Sequence, residues 1–251
     1  MAFPNTRMSL IRRIVVTGDA ASWNQFVGGY WQATCRFAMR SGNLQWSDAE
    51  DVASKVFETL SQKSLLESWL AEPNAKFKTL LCTVIRNVVR NSVRSNQAAA
   101  RHVRTDLPLE THLSSPATPL ELDLFYGIWA EELIKAAVQS VLADYHREGK
   151  GDYFRVLYAR ICEELSVKEI AEDLAIKPTD VDNYFRHARQ RLADRIDQMV
   201  SRETACYTDL ADQDAEFRHE RERLWEILQR QGGLEVAVQN AMRSEPSESA
   251  G

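Results

Sequence analysis

The stretch SVKEIAEDLAIKPTDVDNYFRHARQRL, Ser166–Leu192, decides how the chain folds. Ser166 with Glu169 three residues on is a capping box, in which each side chain satisfies the other residue's backbone N–H, so a helix begins here. Ile170, Ala171 and Leu174 share one side of it, and Ala171 is small where a second helix must cross closely. Ala175-Ile176-Lys177-Pro178 reads as a turn. Thr179 reads as the cap of the next helix, with Asp182 at its third position. Val181, Phe185, Ala188 and Leu192 recur at the spacing of one inward helical stripe. A short helix, a tight turn and a longer helix in this order match a helix-turn-helix, whose second helix enters the major groove of DNA. Asp180, Asn183, Tyr184, Arg186, His187 and Arg191 then face away from the core. Lys177, Thr179, Asn183, Tyr184, Arg186 and His187 are the expected DNA contacts. An ordinary helical hairpin is the plainer reading, but turn length, both caps and the small Ala171 favour the DNA-binding motif. Asp180 and Asp182 suit the helix dipole yet weaken attraction to phosphate.

Outward from this stretch the chain reads as all-α. Ten Gly and seven Pro are few for a strand-rich protein, and 44% hydrophobic with 27% charged residues is ordinary globular composition. Asp19 is an expected N-cap, with Trp23, Phe26 and Val27 behind it, and Gly42-Asn43 punctuates the end of a helical stretch begun near residue 9. Ser47-Asp48-Ala49-Glu50 reads as a second capping box, followed by Val52, Val56, Phe57 and Leu60 on an apolar face. Pro73-Asn74 breaks the chain, and a long helix follows from about Lys76 to Arg94 or beyond. Pro108, Pro116 and Pro119, mixed with Ser114, Ser115 and Thr118, mark residues 105–121 as a linker. Helical patterning resumes at Leu122. The domains expected are therefore 1–104, 122–200 and an acidic helical extension over 201–251, in which Phe217, Leu224, Trp225 and Leu228 form a stripe.

Charge is distributed unevenly. Lys76 to Arg104 holds seven Lys or Arg and no acid, whereas Ser201 to Gly251 holds eleven acids against six Arg. Arg86, Arg90 and Arg94 share one helix face, flanked by Asn87 and Asn91. A positive stripe with amides can hold phosphate and bond exposed base edges, although a merely solvated basic face has the same look. Asp48, Glu50 and Asp51 crowd a helix start, which capping and dipole effects explain without any partner.

Other classes find little support. His102, His112, His146, His187 and His219 have no metal-ligand spacing, and neither a phosphate loop nor a nucleophile motif is present. An enzyme, a metal and a cofactor are therefore not expected. Cys35, Cys82, Cys162 and Cys206 lie far apart and read as free thiols, largely buried. No apolar run approaches the ~20 residues that span a bilayer, and the N-terminus lacks a signal-peptide core, so a cytoplasmic protein without a membrane partner is expected.

Taken together, these motifs resemble the extracytoplasmic-function sigma factors of bacterial RNA polymerase over roughly residues 6–200. Asp48-Ala49-Glu50-Asp51-Val52 with Val56-Phe57 resembles the family's region 2 helix. Phe77-Lys78, Leu81 and Arg86-Asn87 resemble the helix that opens promoter DNA. Leu165-Ser166, Glu169-Ile170-Ala171 and His187-Ala188-Arg189-Gln190-Arg191-Leu192 resemble the region 4 helix-turn-helix, with Ala175 where a turn Gly is usual. The resemblance implies docking on core RNA polymerase through Asp48, Glu50 and Asp51, and capture of a flipped minus-ten base near Asn87. Arg86, Arg90, Asn91 and Arg94 would hold the displaced strand of promoter DNA, and the second domain would read the minus-thirty-five element. An anti-sigma factor or a regulatory kinase is the further partner class it implies, with Ser54 and Thr59 as candidate phosphorylation sites beside Lys55. For the extension two readings stand: it folds over a binding surface as an autoregulator, or it extends the second domain's core. The rival to the whole reading is a stand-alone helix-turn-helix regulator.

Overall fold

The structure, a computed structural model, describes residues 9–72, 75–100 and 116–243. Among these residues there are eleven α-helices and no strand, as composition and periodicity imply. They are α1 (Leu10–Thr17), α2 (Ala20–Gly42), α3 (Trp46–Ser61), α4 (Lys63–Ala71), α5 (Phe77–Ala100), α6 (Pro119–Arg147), α7 (Gly151–Ile161), α8 (Val167–Asp173), α9 (Pro178–Tyr207), α10 (Gln213–Arg230) and α11 (Leu234–Arg243). The Pro73-Asn74 break, residues 101–104 and residues 105–115 of the expected linker lie outside the described residues.

The chain divides into two compact units. One comprises residues 1–129 with 205–213, the other residues 130–204 with 214–251. The dividing points fall inside α6, inside α9 and after the first residue of α10. The change of composition after Val200 accordingly marks no helix end, because α9 runs on to Tyr207.

In the first unit α2, α3 and α5 pack on one another. Asp19 caps α2 by accepting from the Ala21 N–H, and Asn43 closes it in the left-handed region that Asn tolerates. The core is aromatic: Phe26 lies 5.5 Å from Tyr30, 6.0 Å from Phe57 and 5.4 Å from Phe77, ring centre to ring centre. Each such ring contributes roughly 1.5–3 kcal/mol by leaving water. Tyr207, from the far end of α9, stacks on Phe77 at 5.2 Å. Asp209 just beyond it pairs with Arg12 at 2.7 Å and accepts from the Ser9 N–H, the cap residue of α1.

One sequence expectation fails here. Ser47 is not the cap of α3; the helix begins at Trp46 behind Gln45, which makes no side-chain cap bond. Trp46 packs against the core, and that burial draws the helix start back past the serine, overriding the local capping preference.

In the second unit Val156, Ala159, Ile170, Ala171 and Val181 form a small core, with Leu165, Leu174, Ile176 and Phe185 packed against it. α11 packs on α7. α10 buries Leu224, Ile227 and Leu228.

Candidate nucleic-acid interface

The helix-turn-helix forms in the second unit from the residues that announce it. Ser166 Oγ accepts from Glu169 N–H, and the Glu169 carboxylate accepts from Ser166 N–H, so the capping box is complete. This pairing holds the Glu169 carboxyl below its usual range. α8 ends at Asp173 in a Schellman turn: Ile176 N–H donates to Ala171 C=O at 3.0 Å and Ala175 N–H to Glu172 C=O at 3.4 Å. Ala175 carries the turn's left-handed backbone, φ 52°, at the position that usually belongs to glycine.

Thr179 is not the cap of α9. Pro178 opens that helix, its fixed φ suiting the first helical position. Lys177 precedes it, with its C=O accepting from Val181 N–H. The Asp180 carboxylate reaches back to Lys177 N–H at 3.4 Å. Asp180 therefore serves the helix start, and the acid that seemed to oppose phosphate binding has a structural task.

The front of α9 also differs from expectation. Lys177, Thr179, Asn183 and Arg186 are exposed, and Gln190 extends their row by one turn. Arg186 donates to Asn183 Oδ1 at 3.3 Å and Gln190 to Asp194 at 2.8 Å. Tyr184 and Arg191 are half-buried against the end of α6 and the start of α7, and His187, itself exposed, touches the same flank. Tyr184 stacks on Tyr153 at 4.1 Å, and Tyr153 stacks on Tyr145. His187 Nδ1 sits 2.9 Å from the Tyr145 hydroxyl. Arg191 grips both Glu148 oxygens, at 2.9 and 2.5 Å, and covers the Tyr145 ring. The hydrogen bond from Arg191 leads in holding the Glu148 carboxyl at about 2. Tyr184 thus packs on this flank, while Thr179, Asn183, Arg186, His187 and Gln190 are exposed and present donors and acceptors outward. Gln190 was missed in the sequence, although its spacing from Thr179, Asn183 and Arg186 repeats that of the core stripe a half-turn away.

In the first unit the basic stripe of α5 is partly covered. Arg86 and Asn87 are buried, Asn91 is half-buried, and Arg90 and Arg94 are exposed. Arg86 Nη1 donates to the Pro116 C=O at 2.7 Å, and its Nε and Nη2 donate to Asn87 Oδ1. Glu121 faces both arginines, 3.4 Å from Arg86 and 3.1 Å from Arg90. The same carboxylate accepts from Thr118 N–H at 2.8 Å while Thr118 Oγ accepts from Glu121 N–H, a second capping box, which opens α6. Burial opposes the Glu121 charge, but Thr118, Arg86 and Arg90 outweigh it and hold the carboxyl below its ordinary range. Helix α6 thus starts inside the stretch read as linker. Thr118-Pro119-Leu120-Glu121 carries the same signal as Ser166–Glu169, and its proline neighbours hid it.

On α3, Asp48 and Asp51 are exposed and Glu50 is half-buried. Ser54 is exposed, with its hydroxyl on the Glu50 C=O; Thr59 is buried, with its hydroxyl on the Lys55 C=O. Between α3 and α5 runs a groove of about 400 Å³ lined by Lys55, Glu58, Thr59, Gln62, Val88, Asn91, Ser92 and Ser95. Cys35 and Cys82 are buried free thiols, pushed by burial to about 11 and about 12; Cys162 and Cys206 are half-buried. Among the described residues no cluster of His, Cys, Asp or Glu could hold a metal ion, and no helix is long and apolar enough to cross a membrane.

Against known proteins, the chain matches no family model, no curated protein and no solved structure.

Proposed function

We propose that this chain is a transcription initiation factor of the sigma class, acting with core RNA polymerase on promoter DNA and not as an enzyme. The observation that carries the reading is the second helix of the helix-turn-helix, which leaves Thr179, Asn183, Arg186 and Gln190 along one exposed row behind a capped first helix and a Schellman turn. Amides suit adenine edges and arginine suits guanine or phosphate. The row is short and Asp182 stands beside it, exposed, so its grip on duplex alone is weak. Tethering to a second reader through polymerase supplies the missing affinity by effective concentration. In this scheme Asp48, Glu50 and Asp51 face the polymerase, and Arg90, Arg94 and Asn91 meet the opened strand.

The stand-alone regulator remains the second reading, favoured by the burial of Arg86 and Asn87, which leaves less of α5 for an opened strand. Binding of duplex genomic fragments with and without core polymerase separates the two. The sigma reading expects selective retention only with polymerase, and loss of that selectivity in Asn183→Ala and Arg186→Ala. Tight, specific binding by the chain alone would favour the regulator.

A further inference from the structure

We propose that Glu121 is an internal phosphate mimic, which occupies the nucleic-acid site of Arg86 and Arg90 until a strand displaces it. The inference rests on the reading of α5 as a nucleic-acid face. Nucleic acid offers arginine an anionic oxygen acceptor, and Glu121 already supplies two: Oε2 at 3.4 Å from Arg86 and Oε1 at 3.1 Å from Arg90. The turn that carries it is seated on α5 by further bonds. Pro116 C=O takes Arg86 Nη1 at 2.7 Å, and Ala117 N–H donates to Thr83 Oγ at 3.1 Å. Ala117 itself is buried.

The seat has the properties of a gate. Arg90 remains exposed, with 54% of its side chain open to solvent. A strand can therefore engage Arg90 first and then compete for Arg86. Residues 116–121 hold α5 through polar bonds, Ala117 being the one buried side chain among them, so most of what is broken on displacement is remade with phosphate and water.

The test is binding of a fluorescent oligothymidylate to the full chain across a range of salt, alone and with core polymerase. Glu121→Gln keeps the side chain's shape and removes its charge. It is expected to bind severalfold tighter than wild type, with a log–log salt slope steeper by about 0.7 for each phosphate contact recovered on a single strand. Glu72→Gln changes net charge equally at an exposed site remote in sequence and is expected to change binding less. Arg90→Gln added to Glu121→Gln should cancel the gain. Should Glu121→Gln fold poorly, hydrogen exchange on the wild-type chain decides: the Ala117 amide loses protection when the oligonucleotide binds. Wild type that holds the strand with polymerase, while Glu121→Gln matches wild type or the Ala117 amide stays protected, overturns the gate and leaves the sigma reading standing. Absence of strand binding by every form, with polymerase present, overturns both.

Discussion

Ala175 holds a left-handed backbone, φ 52°, at the end of α8. A Cβ there costs about 1–2 kcal/mol relative to glycine, offset in part by glycine's greater freedom in the unfolded chain. Ala175→Gly is therefore expected to stabilise the protein by about 0.5–1 kcal/mol, read from urea unfolding. Gly42 shows the opposite case. A Cβ on it would come 2.8 Å from Val89 Cγ1 and 2.9 Å from Leu44 Cγ, and the β-branched Val89 has little room to turn. Gly42→Ala is expected to cost about 1–3 kcal/mol in the same measurement. At this scale legibility depended on rivals for each signal. Ser166 and Glu169 formed their box because nothing competed. Ser47 did not, because Trp46 had a core to enter. Thr118 and Glu121 did, although a run of prolines spoke for a linker.

Among the elements, α9 bears most of the functional reading. Its inward stripe was legible because a 3.6-residue period needs no partner to be seen. Its flanks were not, because nothing in residues 178–207 says that Tyr145, Glu148 and Tyr153 lie beside them. Hence Tyr184 and Arg191 were expected to face outward and are half-buried on this flank, while His187 is exposed and also meets the Tyr145 hydroxyl. Glu148 gives this packing a pH signature. Its carboxyl, ordinarily near 4.5, is held at about 2 in the fold, chiefly by the Arg191 hydrogen bond. A lowered folded value stabilises the fold fully above about pH 4.5, and that contribution is lost as pH falls toward 2. Arg191→Met is expected to flatten the fall of stability across that window, measured by thermal unfolding at stepped pH; an unchanged profile would contradict the assignment. Ser166→Ala should cost about 1 kcal/mol by leaving the first turn of α8 uncapped. It should also weaken polymerase-dependent DNA binding, because α8 steadies the turn that sets α9.

For the whole molecule, composition foretold an all-helical chain, and the described residues are helical with no strand. The division into units was less legible. Turn chemistry and composition place borders near residues 121 and 200, and the compact units comprise residues 1–129 with 205–213 and residues 130–204 with 214–251. The extension accordingly has two parts. Tyr207 and Asp209 serve the first unit's core and the start of α1, while α10 and α11 belong to the second unit. Truncation after Val200 is expected to lower the stability of the first unit by removing the Tyr207 stack on Phe77, and to raise the exchange of amides in α1.

Run-off transcription with purified core polymerase and a library of genomic fragments tests the central proposal most directly. The expected result is discrete transcripts that need both the chain and the polymerase, and that disappear with Asn183→Ala/Arg186→Ala. A chain that neither co-purifies with core polymerase nor directs any transcript would contradict it.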